Sequence, residues 1–184
     1  MKRITAIFCV LALMLVLFTA CGKAPAAEKP AEQPAEESGE ANLPNPVKEA
    51  DAEGIMQTLG VEFGIPEGAE DLRYSTINDE LAEMRFSLDG TEFVARIKPS
   101  AEFEDISGMY YDWTAKLDDC KVGYCDAQSM SYISETEDDV MAVLWFDAAP
   151  GLMYSLSAVG ADLNGLDPLA VAEQIFVPMQ GDAG

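Results

Sequence analysis

The side chains that catalysis usually draws on are thinly represented in this 184-residue sequence. There is no histidine, which removes the commonest general base, the commonest transition-metal ligand and the physiological pH switch. Ser-His-Asp and Cys-His catalysis are excluded with it. Cys120 and Cys125 are the best candidates for covalent chemistry. In an oxidising compartment, two cysteines closing so short a loop read as a disulfide, which stabilises by about 2 kcal/mol in the chain-entropy model. A redox role fits poorly. The spacing is not C-x-x-C, and Asp118, Asp119 and Asp126 raise rather than lower a thiol pKa.

The carboxylates offer two places to look for a cation. One is the run Glu135, Glu137, Asp138 and Asp139, which falls between two expected strands, where acidic turn residues occur anyway. The other, Asp162-Leu163-Asn164-Gly165-Leu166-Asp167, follows part of a calcium-loop pattern but lacks the third ligand spacing and the terminal Glu. Neither sets a metal site. The aromatics Tyr110, Tyr111, Trp113, Tyr124 and Tyr132 crowd one region. Tyr111, Trp113 and Tyr132 are the candidate ligand-binding residues, with cross-strand core packing as the alternative use of the same rings. No G-x-S-x-G, phosphate loop or metal-ligand cluster is present, so no catalytic residue, metal or cofactor is expected. With 33 Asp and Glu, a pair of carboxylates suited to sugar hydrolysis carries no information by itself.

Charge narrows the partners. The chain has 11 Lys and Arg against 33 Asp and Glu, a net of −22. Lys2 and Arg3 are the only charges before Cys21, so the chain from Cys21 onward has 9 basic and 33 acidic side chains, a net of −24. That balance repels nucleic acid and anionic lipid headgroups. Attachment to a membrane therefore needs something other than surface charge.

The N-terminus supplies it. After Lys2 and Arg3 comes an uncharged run, residues 4–20, with an apolar core over residues 7–18. A positive start, a short apolar stretch and small residues before a cut site describe a secretory signal. The stretch Leu17-Phe18-Thr19-Ala20-Cys21-Gly22 resembles the lipobox of bacterial lipoproteins. In that family the usual pattern has Leu three residues before the cysteine, where this chain has Phe18. The resemblance implies cleavage before Cys21 and acylation of that residue, with the remainder anchored on the outer side of the cell membrane. Two or more acyl chains hold a protein there stably. Residues 21–45 then form an acidic linker rich in Pro, Ala and Glu, with Pro25, Pro30, Pro34 and Pro44. It has too few large apolar side chains to build a core. It reaches roughly 30 Å as a coil and about 75 Å if extended as polyproline.

One domain is expected over residues 46–178, followed by a tail at 179–184. Asn45-Pro46 is a helix-start signal, with Val47, Ala50, Ile55, Met56 and Leu59 on one side and Gly60 as a stop. Leu81 to Leu88 alternates, Asp89-Gly90 is a two-residue turn, and residues 91–98 alternate again. This register pairs Phe86 with Phe93, Met84 with Ala95 and Glu83 with Arg96. A second hairpin, with Cys120 opposite Cys125, pairs Trp113 with Tyr132 and Ala115 with Met130. A third joins residues 140–146 to residues 152–159. It pairs Phe146 with Leu152 and Leu144 with Tyr154, and its first strand, apolar on both faces, belongs at the centre of the sheet. Residues 73–77 make a further strand. Asp167-Pro168 opens a closing helix carrying Leu169, Ala172 and Phe176, stopped by Pro178. The sum is an α+β domain: an antiparallel sheet of about six or seven strands, a meander of hairpins or a half-barrel, with a helix at each end.

The order Trp145, Gly151, Tyr154, Ala172-Glu173 is similar to uncharacterised domains of small exported lipoproteins, over about 35 residues. It implies no functional residue. The functional expectation is a non-enzymatic binding or sensor domain at the cell envelope, holding a small hydrophobic ligand. The alternatives are an interaction module contacting another envelope protein, and a carbohydrate- or cell-wall-acting hydrolase.

Overall fold

The computed structural model describes residues 46–178. Cys21, the signal segment, the linker and the tail lie outside these residues. The described chain is α+β: β1 (Val47–Ala50), α1 (Ala52–Leu59), β2 (Glu70–Ile77), β3 (Leu81–Leu88), β4 (Thr91–Pro99), β5 (Ala115–Val122), β6 (Cys125–Tyr132), β7 (Asp139–Asp147), β8 (Leu152–Gly160) and α2 (Pro168–Ile175). All eight strands form one open antiparallel sheet in the order β1-β2-β3-β4-β8-β7-β6-β5. The count exceeds the expected six or seven. The order is not one continuous meander either: two four-stranded meanders meet where β4 pairs with β8.

The extra strand explains one error of sequence reading. Residues 47–50 pair with residues 74–77 of β2, so the helix starts later than the Asn45-Pro46 signal suggests. Its cap is Asp51, whose Oδ1 accepts from Gly54 N at 2.7 Å. Gly60 closes it as expected. At the other end, Asp167 caps α2 by accepting from Leu169 N and Ala170 N, each at 3.1 Å.

The first hairpin has the register read from sequence, with Phe86 opposite Phe93, Met84 opposite Ala95 and Glu83 opposite Arg96. The Phe86 and Phe93 rings stack 5.2 Å apart. The other two registers differ. In the third hairpin Asp147 itself pairs with Leu152, and its Oδ1 accepts from Ala149 N. This shortens the loop to four residues and slips the register by one, which exchanges faces. Trp145, rather than Leu144, then lies opposite Tyr154, stacked at 5.1 Å. In the second hairpin the turn is only Gly123-Tyr124, so Val122 pairs with Cys125. Glycine at the first central position with φ 58° is what such a tight turn requires. A register shift between Leu117 and Cys120 then places Ala115 opposite Ser131 and Lys116 opposite Met130.

The two faces of the sheet have different covers. Both helices pack on one face, where Ile55 of α1 and Val171, Ala172 and Ile175 of α2 join Met84, Phe93, Ile97, Trp145, Tyr154 and Leu156 in the main core. The opposite face has a smaller core of Ile106, Met130, Ala142, Leu144 and Met153. Its cover is the segment between β4 and β5, residues 100–114, which supplies Ile106 and the packed edge of Trp113. As its apolar pattern required, β7 is central and buried from both sides.

Candidate aromatic surface

The segment over the back face is held by a salt-bridged arginine. Glu83 on β3 is only 3% exposed, a position a carboxylate occupies only when paired. Arg96 Nε meets its Oε2 at 2.9 Å and Arg85 Nε its Oε1 at 2.8 Å. Arg96 Nη1 then donates to the carbonyls of Ile106 (3.1 Å) and Ser107 (2.6 Å). Gly108 leaves room for this guanidinium, since a Cβ there would lie 2.5 Å from Arg96 Nη1. Ser107, itself buried, donates N and Oγ to Asp105 Oδ1 and accepts from Met109 N. The far end is pinned by Thr114, whose N and Oγ1 both donate to Ser131 O while Oγ1 accepts from Ile133 N.

Between these two fastenings the segment presents Tyr110, Tyr111 and Trp113. Trp113 is half-buried against the back-face core. Tyr111 leans on it, ring centroids 5.8 Å apart, and touches Tyr132 of β6 at 5.4 Å. The three aromatics singled out from the sequence are therefore brought together, but not as the expected strand pair: Trp113 precedes β5, and Tyr111 bridges it to Tyr132. Tyr132 Oη donates to Glu137 Oε2 at 3.0 Å. Tyr110 is 92% exposed. Asp105, Met109, Tyr110, Tyr111, Asp112 and Trp113 line a shallow depression of about 440 Å³ that opens to solvent.

The cysteines are not arranged as expected. Both are free thiols. Cys120 lies opposite Ala127, two positions from Cys125. That makes them diagonal neighbours and not the directly opposite pair expected from sequence. Cys120 Sγ donates to Ala127 O at 3.2 Å. Cys125 is buried in the main core, and burial, with Asp147 next in importance, pushes its thiol up to about 11. Asp147 is buried as well and accepts from Tyr124 Oη at 2.6 Å. That hydrogen bond, with burial, raises the Tyr124 hydroxyl to about 12. Sequence pattern alone gives Asp147 no role beyond the turn. The signal available for it was its place at the end of an otherwise apolar strand.

The acidic runs are occupied by local structure. Asp139 is buried and accepts from Ser134 N and Leu163 N. Asp162 accepts from Asn164 N and Nδ2, and Asp167 caps α2. Among the described residues no group of three or more Cys, Asp or Glu is placed to hold a metal ion. No described helix is long and apolar enough to cross a membrane. No protein-family model, curated protein or solved structure matches this chain.

Proposed function

We propose that this protein is a non-enzymatic, lipid-anchored module on the outer side of the cell membrane, which contacts another envelope protein through the surface formed by Tyr110, Tyr111, Trp113 and Tyr132. The observation that carries this reading is the exposed Tyr111 ring bridging Trp113 and Tyr132, on a segment fastened at both ends. Fixed, amphipathic rings supply contact area at low entropic cost and are enriched at interfaces. A small hydrophobic ligand enclosed by the sheet fits less well. The helix-covered face is filled by side chains such as Phe93, Trp145, Tyr154 and Leu156, and the depression beside the rings is shallow rather than enclosing. The lipobox-like residues ending at Cys21 support the address, and the long acidic linker gives the module reach.

A photo-crosslinking residue tests the reading. Placed at Tyr110 of the full chain in its own host, it is expected to yield one discrete crosslinked species. The same residue at exposed Met56, on α1, is expected to yield none. Equal, diffuse crosslinking from both positions, or none from either, overturns the proposal.

A further inference from the structure

We infer that the aromatic surface recognises a basic peptide segment, its lysine or arginine side chains lying on the rings of Tyr110, Tyr111 and Trp113 and facing the carboxylates of Asp105, Asp112 and Glu137. The inference rests on the interaction-module reading and names the partner's chemistry.

Three observations support it. First, the surface combines π faces with negative charge. Asp105 and Asp112 line the same depression as Tyr110, Tyr111 and Trp113, and Glu137 sits on the hydroxyl of Tyr132 at the other end of the ring series. Aromatic faces attract ammonium and guanidinium groups through the ring quadrupole, and carboxylates add to that attraction. Second, these carboxylates have spare capacity. Among the described residues no ion pair involves Asp105, Asp112 or Glu137, and Asp105 uses only Oδ1 on Ser107. Third, the charge of the whole molecule, −24 from Cys21 onward, steers cations toward it and repels acidic competitors. The site favours a segment over a lone small cation. It is too open to enclose a small ligand, and its carboxylates lie at both ends of the ring series, which suits more than one positive group along an extended chain.

The test uses the full chain in nanodiscs of zwitterionic lipid, titrated calorimetrically with a twelve-residue peptide alternating arginine and glycine. Counterparts carry lysine, glutamine or glutamate in place of arginine. The arginine and lysine peptides are expected to bind one to one, and the glutamine and glutamate peptides not at all. Asp112→Asn and Tyr110→Ser each remove an exposed group, so folding is retained. Each is expected to weaken arginine-peptide binding about two- to fivefold, and the double variant about tenfold. Glu70→Gln makes the same charge change on β2, in the other half of the sheet, and is expected to alter affinity less than 1.5-fold. No binding of the basic peptides overturns the inference. So does an equal loss with Glu70→Gln, which would mean attraction by diffuse charge alone. A Tyr110 crosslink that forms while basic peptides fail to bind discards the cation chemistry and leaves the module reading standing. Failure of both discards both.

Discussion

Arg96 joins three things that the sequence keeps apart: strand β4, the buried carboxylate of Glu83 on β3, and the backbone of residues 106 and 107. Sequence pattern identified the Glu83–Arg96 match but not its reach to the segment over the back face, because carbonyl acceptors leave no mark in residue type. Among the described residues, Arg96→Ala leaves Glu83 with Arg85 as its only cation and strips two carbonyls of their donor. Breaking a buried pair from one side costs about 3 kcal/mol. Denaturant unfolding should show that loss, and hydrogen exchange should show faster exchange concentrated in residues 100–114. An Arg96→Ala variant of unchanged stability would mean that Arg96 is incidental. A second prediction concerns Cys125. Its thiol ionises near 11 in the folded protein against an ordinary value of 9, so the native state holds this proton where the unfolded chain releases it. The native state therefore keeps this advantage below pH 9 and loses it as pH rises to 11, by up to roughly 2 kcal/mol. Cys125→Ala should flatten the fall in stability over that window. The buried thiol should also react with iodoacetamide far more slowly at pH 8 than after unfolding.

Where an element carries its own instructions, it was legible from sequence. Asp167-Pro168 is a cap followed by proline, and α2 starts there. Replacing Asp167 with Ala orphans the backbone donors of Leu169 and Ala170. It should cost about 1 kcal/mol by urea unfolding, with the far-UV spectrum nearly unchanged. Asp89-Gly90 fixed the β3–β4 register because turn chemistry and alternation agreed. The other hairpins show what happens when the turn is ambiguous. Residues 120–125 accept a four-residue loop between the cysteines or a two-residue loop at Gly123-Tyr124. The tight turn prevails, and with it Val122, Cys125 and Ala127 enter the core beneath α2. In β7 both faces are apolar, so alternation cannot detect a one-residue slip. The decisive feature is Asp147, which closes its own turn. Residues 47–50 were misread because a four-residue strand leaves too short a pattern, and its partner β2 lies some two dozen residues away. The aromatic site was legible by composition but not by geometry, since Tyr111 and Trp113 lie in a segment without periodicity.

The aromatic surface follows from the topology of the whole sheet. After β4 the chain stands at the middle of the sheet, and β5 is at its edge, beyond β8, β7 and β6. Four strand spacings make roughly 19 Å, which residues 100–114 must cross over one face. The helices occupy the other, so the crossing runs over the back, where Ala142 and Leu144 of the doubly apolar β7 need a cover. Ile106 and the buried edge of Trp113 provide it, which leaves Tyr110 and Tyr111 on the outer surface. On the proposed reading, a surface of this kind meets a partner at the envelope only if the molecule is held there, and its charge works against that. With −24 from Cys21 onward, the chain is repelled by anionic headgroups, so on that reading the proposed acyl anchor would have to supply all of the membrane affinity. Cys21→Ser removes the proposed acylation site without touching any described residue. It should move the protein from the membrane fraction to the soluble fraction, or hold it at the membrane as a longer, unprocessed chain if the apolar segment stays attached. In either case label from radioactive palmitate should disappear, while the Tyr110 crosslink persists only in the unprocessed, membrane-held form. Full retention of palmitate label by Cys21→Ser would show that the anchor lies elsewhere and that Cys21 is an ordinary linker residue.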